Sequence, residues 1–143
     1  MRGDAFEAVT LVAGTASGRV LRLDEPLSFW GGLDSATGTI LDRLHPQRGA
    51  SMAGRILMMA SGRGSSSGSA TLAEALRLGR GPAAILMLER DAIVVVGAVV
   101  AAELYGLVCP VVLVQEQDWE ALAAGDRLTL EAGPDGAAIR AGF

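Results

Sequence analysis

The residues best suited to chemistry lie in one short stretch, SGRGSSSGSATLAEALRLG (residues 61–79), whose first ten positions hold five serines and three glycines. A strand–loop–helix junction of this kind aims the free N–H groups of the helix's first turn at whatever sits above it. The helix dipole there favours negative charge. Gly62, Gly64 and Gly68 permit close backbone approach and positive φ. The arrangement suits a carboxylate, a phosphate, or a serine that must exist transiently as an alkoxide. A Ser/Gly-rich connector without chemistry has the same composition, and from these residues alone the two readings stand level.

Nucleotide-binding versions of the motif fail on particular residues. A Walker loop needs a lysine, and all twelve basic residues are arginine. A G-x-G-x-x-G fingerprint begun by Gly62 and Gly64 needs its third glycine where Ser67 stands. GSSSG (residues 64–68) matches the G-x-S-x-G of a nucleophile elbow with Ser66 at its centre. That elbow, however, belongs to a chain order in which the histidine follows the serine, and His45 precedes it. His45, before Pro46, reads as a loop residue. FWGG (residues 29–32) reads as a tight turn under an aromatic ring, with a surface docked against a partner or substrate as the alternative. The residues leave the roles of Trp30, Asp34 and His45 open.

The elements that must hold this stretch can be read in outline. EAVTLVAG and GRVLRLD predict two strands joined by a GTAS turn; residues 26–29 and GTILD predict two short strands, and GRILMMA a buried strand running into the serine loop. Leu72, Ala75 and Leu76 give the following helix its apolar stripe. Thr71 with Glu74 fits a capping box, with Ser67 or Ser69 as alternative caps, and Gly79 suits the helix end before Pro82. Then come the strand AAILML, a strand at IVVVGA, a helix near VVAAELYG and the strand VCPVVLV. DWEALAAGDRLTLEAGPDGAAIRAGF reads as a helical turn and a closing hairpin. The fold class predicted is mixed α/β: a central sheet or barrel flanked by helices, with hairpins near both termini.

Composition narrows the function. The chain has 143 residues, 50% of them apolar, a net charge of −4 and no basic run, which argues against a nucleic-acid partner. Its single cysteine, Cys109, excludes an intrachain disulfide and reads as a buried thiol; Met52, Met58 and Met59 read as packing. Glu89, Asp91 and Glu103 read as solvated element ends. The apolar segment at residues 92–114 imitates a membrane span, but Glu103, Gly97, Gly106 and Pro110 interrupt it, so no membrane is expected. The start MRGDAFEAV lacks a signal-peptide core, and a cytoplasmic location is expected.

PLSFWGGLDSATGTILDRLHPQRG, GRILMMASGRGSSSGSATLAEAL and GPAAILMLERDAIVVVGAVVAAELYGLVCPVV together resemble the swivel-domain small subunit of the aconitase X family, over roughly residues 14–115. The resemblance implies one swivelling β/β/α domain over residues 1–143 and a hydro-lyase subunit, inactive without a large catalytic subunit. That large subunit would hold an iron or iron–sulfur centre, which polarises the departing hydroxyl. Bacterial members dehydrate the hydroxy acid cis-3-hydroxy-L-proline, and archaeal members convert mevalonate 5-phosphate to an anhydromevalonate phosphate. The first is expected here and the second is the alternative, beside a non-catalytic anion-binding or regulatory module; a stand-alone serine hydrolase using Ser66 comes third. Aconitase-type swivel domains carry a Gly-x-Gly-Ser-Ser step whose first serine is the base. Gly62-Arg63-Gly64-Ser65-Ser66 matches it, so the resemblance assigns Ser65 as the catalytic base, with Arg63, Gly64, Ser66 and Ser67 around the substrate. Ser67 stands where aconitase has a carboxylate-binding arginine, a departure that loosens any transfer of tricarboxylate specificity.

Overall fold

The runs Ile56–Met58 (β5), Ala84–Met87 (β6) and Val111–Val114 (β7) carry no polar face, and such strands are stable only where both faces are covered. The computed structural model describes residues 5–142. In it, β2 (Gly14–Arg22), β5, β6 and β7 pair in parallel. β1 (Ala5–Val12), β8 (Arg127–Gly133) and β9 (Gly136–Gly142) close that arc into a barrel ordered β1-β7-β6-β5-β2-β8-β9.

Alternate residues of each strand then serve two cores. Ile56, Met58, Ala84, Leu86 and Val112 join Leu128, Leu130 and Ile139 in the cluster that fills the barrel, plugged by Leu122 of α4 (Trp119–Ala123). Leu57, Ile85, Met87 and Val111 belong to the outer cluster. There they are covered by Leu72, Ala75 and Leu76 of α2 (Ser67–Arg77) and by Val94, Ala98 and Ala101 of α3 (Ala92–Tyr105), with Met52, Met59 and Cys109 filling between. The methionines and Cys109 are packing, as expected.

Four expectations need correction. The GTAS turn lies inside β2: Thr15, Ser17 and Arg19 are exposed while Ala16, Gly18 and Val20 are more covered, an alternation muted by small residues. β1 and β2 do not form an N-terminal hairpin, because barrel closure gives β1 to β7 and β9 and β2 to β5 and β8; the C-terminal hairpin β8–β9 is present. Residues 26–28 form no strand, since both edges of β5 are already taken by β2 and β6. Leu27 is instead pinned through its N–H to the Met59 sulfur at 3.4 Å. IVVVGA is the first half of α3, not a strand. Parallel neighbours such as β6 and β7 need a crossover of about a dozen residues, and that demand overrides the strand preference of three successive valines. The GTILD strand survives as β4 (Thr39–Ile40), paired with β3 (Leu33–Asp34) in a small separate ribbon. The first four residues and Phe143, on which parts of the terminal readings fall, lie outside the described residues. No helix among the described residues is long and apolar enough to cross a membrane.

α2 and α3 run side by side, and they touch at Gly97. A Cβ there would lie 2.9 Å from the Ser69 carbonyl oxygen and 3.0 Å from a Leu72 methyl. Replacing glycine in a helix with alanine ordinarily gains about 1 kcal/mol. Here Gly97→Ala is expected to lose about 1–3 kcal/mol through overpacking against backbone. Urea denaturation of the two proteins reads the sign directly.

Candidate active site

The serine loop and the approach to α3 leave the carboxyl ends of neighbouring parallel strands, the position where α/β sheets gather ligand-binding loops. The two connections are laced together by backbone: Met59 N–H bonds to Leu86 O at 3.0 Å, and Leu88 N–H and Glu89 N–H both bond to Ala60 O at 2.9 and 3.0 Å. Gly62 then passes directly against Asp91. A Cβ on Gly62 would sit 1.8 Å from Asp91 Oδ2, so any side chain there would have to displace the Asp91 carboxylate.

Asp91 is occupied as well as obstructive. Its Oδ1 accepts from Ile93 N–H at 2.9 Å and Val94 N–H at 3.1 Å, capping α3. The reading of Asp91 as a merely solvated end is thereby corrected, while Glu89 and Glu103 are exposed as expected. Ile93, held by that cap, supports the loop. Ser69 Oγ donates to Ile93 O at 2.6 Å, and the Ile93 side chain lies 3.1 Å from where a Gly68 Cβ would be and 3.7 Å from where a Gly64 Cβ would be. The Asp-Ala-Ile-Val step ahead of an apolar run is the available sign of this cap; sequence reasoning misses Asp91 and Ile93 because that run reads as a strand.

α2 starts at the serines, not at Thr71. Thr71 Oγ1 bonds back to Ser67 O at 3.3 Å, and Glu74 pairs with Arg77 at 2.7 Å, so neither forms the expected capping box. Ser67 is already helical and Ser69 is spent on Ile93. Ser66 itself has helical angles (φ −59°, ψ −24°) and makes no side-chain cap. The capping contact comes from Ser65. Its Oγ accepts from Ser67 N–H at 3.3 Å, and its carbonyl accepts Gly68 N–H at 2.8 Å. Gly79 ends the helix as expected, with φ +74°, Gly79 N–H on Leu76 O and Arg80 N–H on Ala75 O.

Ser65 Oγ therefore stands at the positive end of an eleven-residue helix, half-buried, with a backbone N–H directed at it. Arg63, Gly64, Ser66 and Ser67 surround it and are exposed; Arg63 makes no hydrogen bond or ion pair among the described residues. The first turn of α2 is flanked by Phe29 and the Trp30 backbone, 3.7 Å from where a Gly68 Cβ would be. The hollow lined by Ala5, Phe6, Glu7, Gln115 and Asp118 lies away from these residues.

The remaining candidates are structural. His45 is buried in its loop, with Nδ1 accepting Gln47 N–H at 3.0 Å, which leaves Nε2 to donate to Glu25 O at 2.9 Å. Asp34 Oδ1 holds Ala36 N–H at 3.0 Å in the turn between β3 and β4. No group of three His, Cys, Asp or Glu side chains among the described residues converges as a metal site. Cys109 belongs to no such group, and full burial pushes its thiol up to about 12. Its folded value lies above the ordinary 9.0, so its contribution to stability is complete below that value and is lost as pH rises toward the folded one. At about pH 8, Cys109 is expected to resist a disulfide reagent in the folded protein and to react promptly in denaturant; rapid modification of folded protein would contradict this. Asp91→Ala is expected to cost about 1 kcal/mol through loss of the α3 cap, measurable by thermal denaturation.

Known proteins share this fold. The family model for the aconitase X swivel domain matches residues 5–139. The chain is 47% identical over 115 residues to a Pseudomonas aeruginosa cis-3-hydroxy-L-proline dehydratase, covering 80% of this chain but 20% of that protein. It is 35% identical over 122 residues to the phosphomevalonate dehydratase small subunit of Thermococcus gammatolerans, covering 85% of this chain and 87% of that one. A chain in the crystal structure of Thermococcus kodakaraensis aconitase X (holo-form) superimposes with TM-score 0.80 at 28% identity, over 99% of this chain and 100% of that one. The barrel with its two outer helices is thus a shared fold, and the chain belongs to the aconitase X swivel-domain family.

Proposed function

We propose that this chain is the small subunit of a hydro-lyase and supplies Ser65 as the proton acceptor of an active site completed by a larger chain. The observation that carries this reading is the setting of Ser65 Oγ: half-buried, at the start of α2, accepting a backbone N–H, with exposed residues on either side of it in the loop. A serine hydroxyl is far too weakly acidic to ionise unaided near neutrality. Helix-start N–H groups lower the cost of the alkoxide, and Arg63, exposed two residues away, adds a positive charge.

In the proposed reaction Ser65 Oγ takes the proton from the carbon α to the substrate carboxylate. The electrons of that C–H bond form the new double bond, and the hydroxyl on the next carbon leaves with its bonding pair. Gly64 lets substrate approach the backbone, while Arg63, Ser66 and Ser67 offer hydrogen bonds to its carboxylate. The iron or iron–sulfur centre implied by the resemblance does not fit this chain's residues. Its ligands would belong to the larger chain, and this chain's part is the proton acceptor and the groups around it.

The preferred substrate is cis-3-hydroxy-L-proline, supported by the 47% identity to the Pseudomonas aeruginosa enzyme. A phosphomevalonate dehydratase is the second reading, supported by the match to nearly the full length of archaeal small subunits. Both agree on a chain that works with a much larger body, because this one spans a fifth of the hydroxyproline enzyme.

The test is co-expression with the chain of the same genome that matches the remaining four-fifths of the Pseudomonas aeruginosa protein. The assembled pair should dehydrate one of the two substrates. Ser65→Ala should lower the rate by about 10²–10⁴-fold, the range for removing a general base, with the pair still assembled. Ser66→Ala should cost far less. An assembled Ser65→Ala pair turning over at the wild-type rate would overturn the assignment.

A further inference from the structure

Most of the large apolar side chains are buried, but Trp30 is 60% exposed, Leu41 48% and Leu44 90%. These three lie on backbone that is tied together. α1 (Phe29–Gly32) is a single kinked turn in which Trp30 leaves the helical region (ψ 118°) and Gly31 takes φ +81°. That left-handed step is one only glycine makes cheaply. No other atom lies within 4 Å of where a Gly31 Cβ would be, so the conformation and not crowding calls for glycine. The turn buries Phe29 in the core and leaves the neighbouring indole in solvent. Gly32 O accepts Leu41 N–H at 2.8 Å, and Asp42 Oδ1 accepts Leu44 N–H at 3.0 Å, fixing the second segment beside the first. His45, through Glu25 and Gln47, anchors the far side. A turn whose left-handed glycine step holds a tryptophan outward is a built surface.

The chemistry of the surface selects its occupant. The carboxylates of this segment, Asp34 and Asp42, already hold backbone N–H groups, whereas the Arg43 and Arg48 side chains are exposed with no ion pair or hydrogen bond among the described residues. A second copy meeting this patch with the same residues 29–48 would bring two more guanidinium groups and no unengaged carboxylate. A different chain with an apolar pocket rimmed by carboxylates would complement both the indole and the guanidinium groups. The patch also adjoins the serine loop, since the Trp30 backbone flanks Gly68 in the first turn of α2. Whatever covers Trp30 therefore lies beside the start of α2, the helix that Ser65 caps.

We propose that Trp30, Leu41 and Leu44, with Arg43 at the rim, form the surface on which the larger chain docks, so that one contact both assembles the pair and closes the serine site. This rests on the two-chain reading above. The exposed apolar residues of α3, Val96 and Val99 among them, lie outside this surface.

The experiment uses the full chain and the same-genome partner, with affinity measured by calorimetry and turnover measured in parallel. Trp30→Ala and Leu44→Ala are each expected to weaken assembly by about 30-fold, as anchor residues do. Both positions are solvent-facing, so the isolated variants should keep the wild-type melting temperature. At saturating partner, Leu44→Ala should recover most of the wild-type rate. Val96→Ser and Val99→Ser should bind as wild type does. A wild-type pair that assembles and turns over, with affinity unchanged by Trp30→Ala and Leu44→Ala or reduced only by the α3 substitutions, overturns the docking surface and leaves the function standing. A pair whose assembly depends on Trp30 but which dehydrates neither substrate supports the surface and overturns the function. Absence of any wild-type complex overturns both.

Discussion

The close approach of two neighbouring helices governs this molecule. α2 and α3 meet where Gly97 faces the Ser69 carbonyl, and at their amino ends the loop glycines 62, 64 and 68 pack against Asp91 and Ile93. Asp91 fixes the start of α3 by accepting two of its free N–H groups, and Ser69 hands the Ile93 carbonyl a hydrogen bond from α2. Each contact needs either no side chain or one short polar one. The glycines therefore let the loop lie close against α3. A loop so rich in serine and glycine would otherwise be costly to order.

From this packing the setting of Ser65 follows. With Ser69 engaged across the helix pair and Ser66 and Ser67 already turning with α2, Ser65 is the serine whose hydroxyl caps the helix. The barrel beneath supplies rigidity. Alternate residues of the parallel strands feed two cores, so the carboxyl ends that carry the loops cannot shift without disturbing both. The serine is held by backbone geometry on one side and left open on the other.

Much of this is legible from residues. The apolar runs declare strands covered on both faces, Gly79 and Pro82 mark the end of α2, and the closing hairpin is written in its Gly-Pro-Asp-Gly turn. The family comes from motifs read together, whereas the role given to Ser65 rests on the resemblance, and packing shows how that serine differs from its neighbours. What stays hidden is non-local. Three valines in a row speak for a strand until the need for a crossover between β6 and β7 is known. GTAS reads as a turn until β8 lies beside it. Asp91 resembles a solvated end because its two partners are N–H groups of a helix that the valines disguise. His45 and Asp34 stand out as rare or acidic residues and prove to be loop and turn fasteners.

If this chain carries half of an active site, a titration will show it. The separately purified larger chain is held fixed, this chain is added, and dehydration of cis-3-hydroxy-L-proline and of mevalonate 5-phosphate is followed. Neither chain alone should turn over, and the rate should rise and saturate at one-to-one stoichiometry. Turnover by the larger chain alone at the rate of the mixture, or by this chain in isolation, would contradict a shared site.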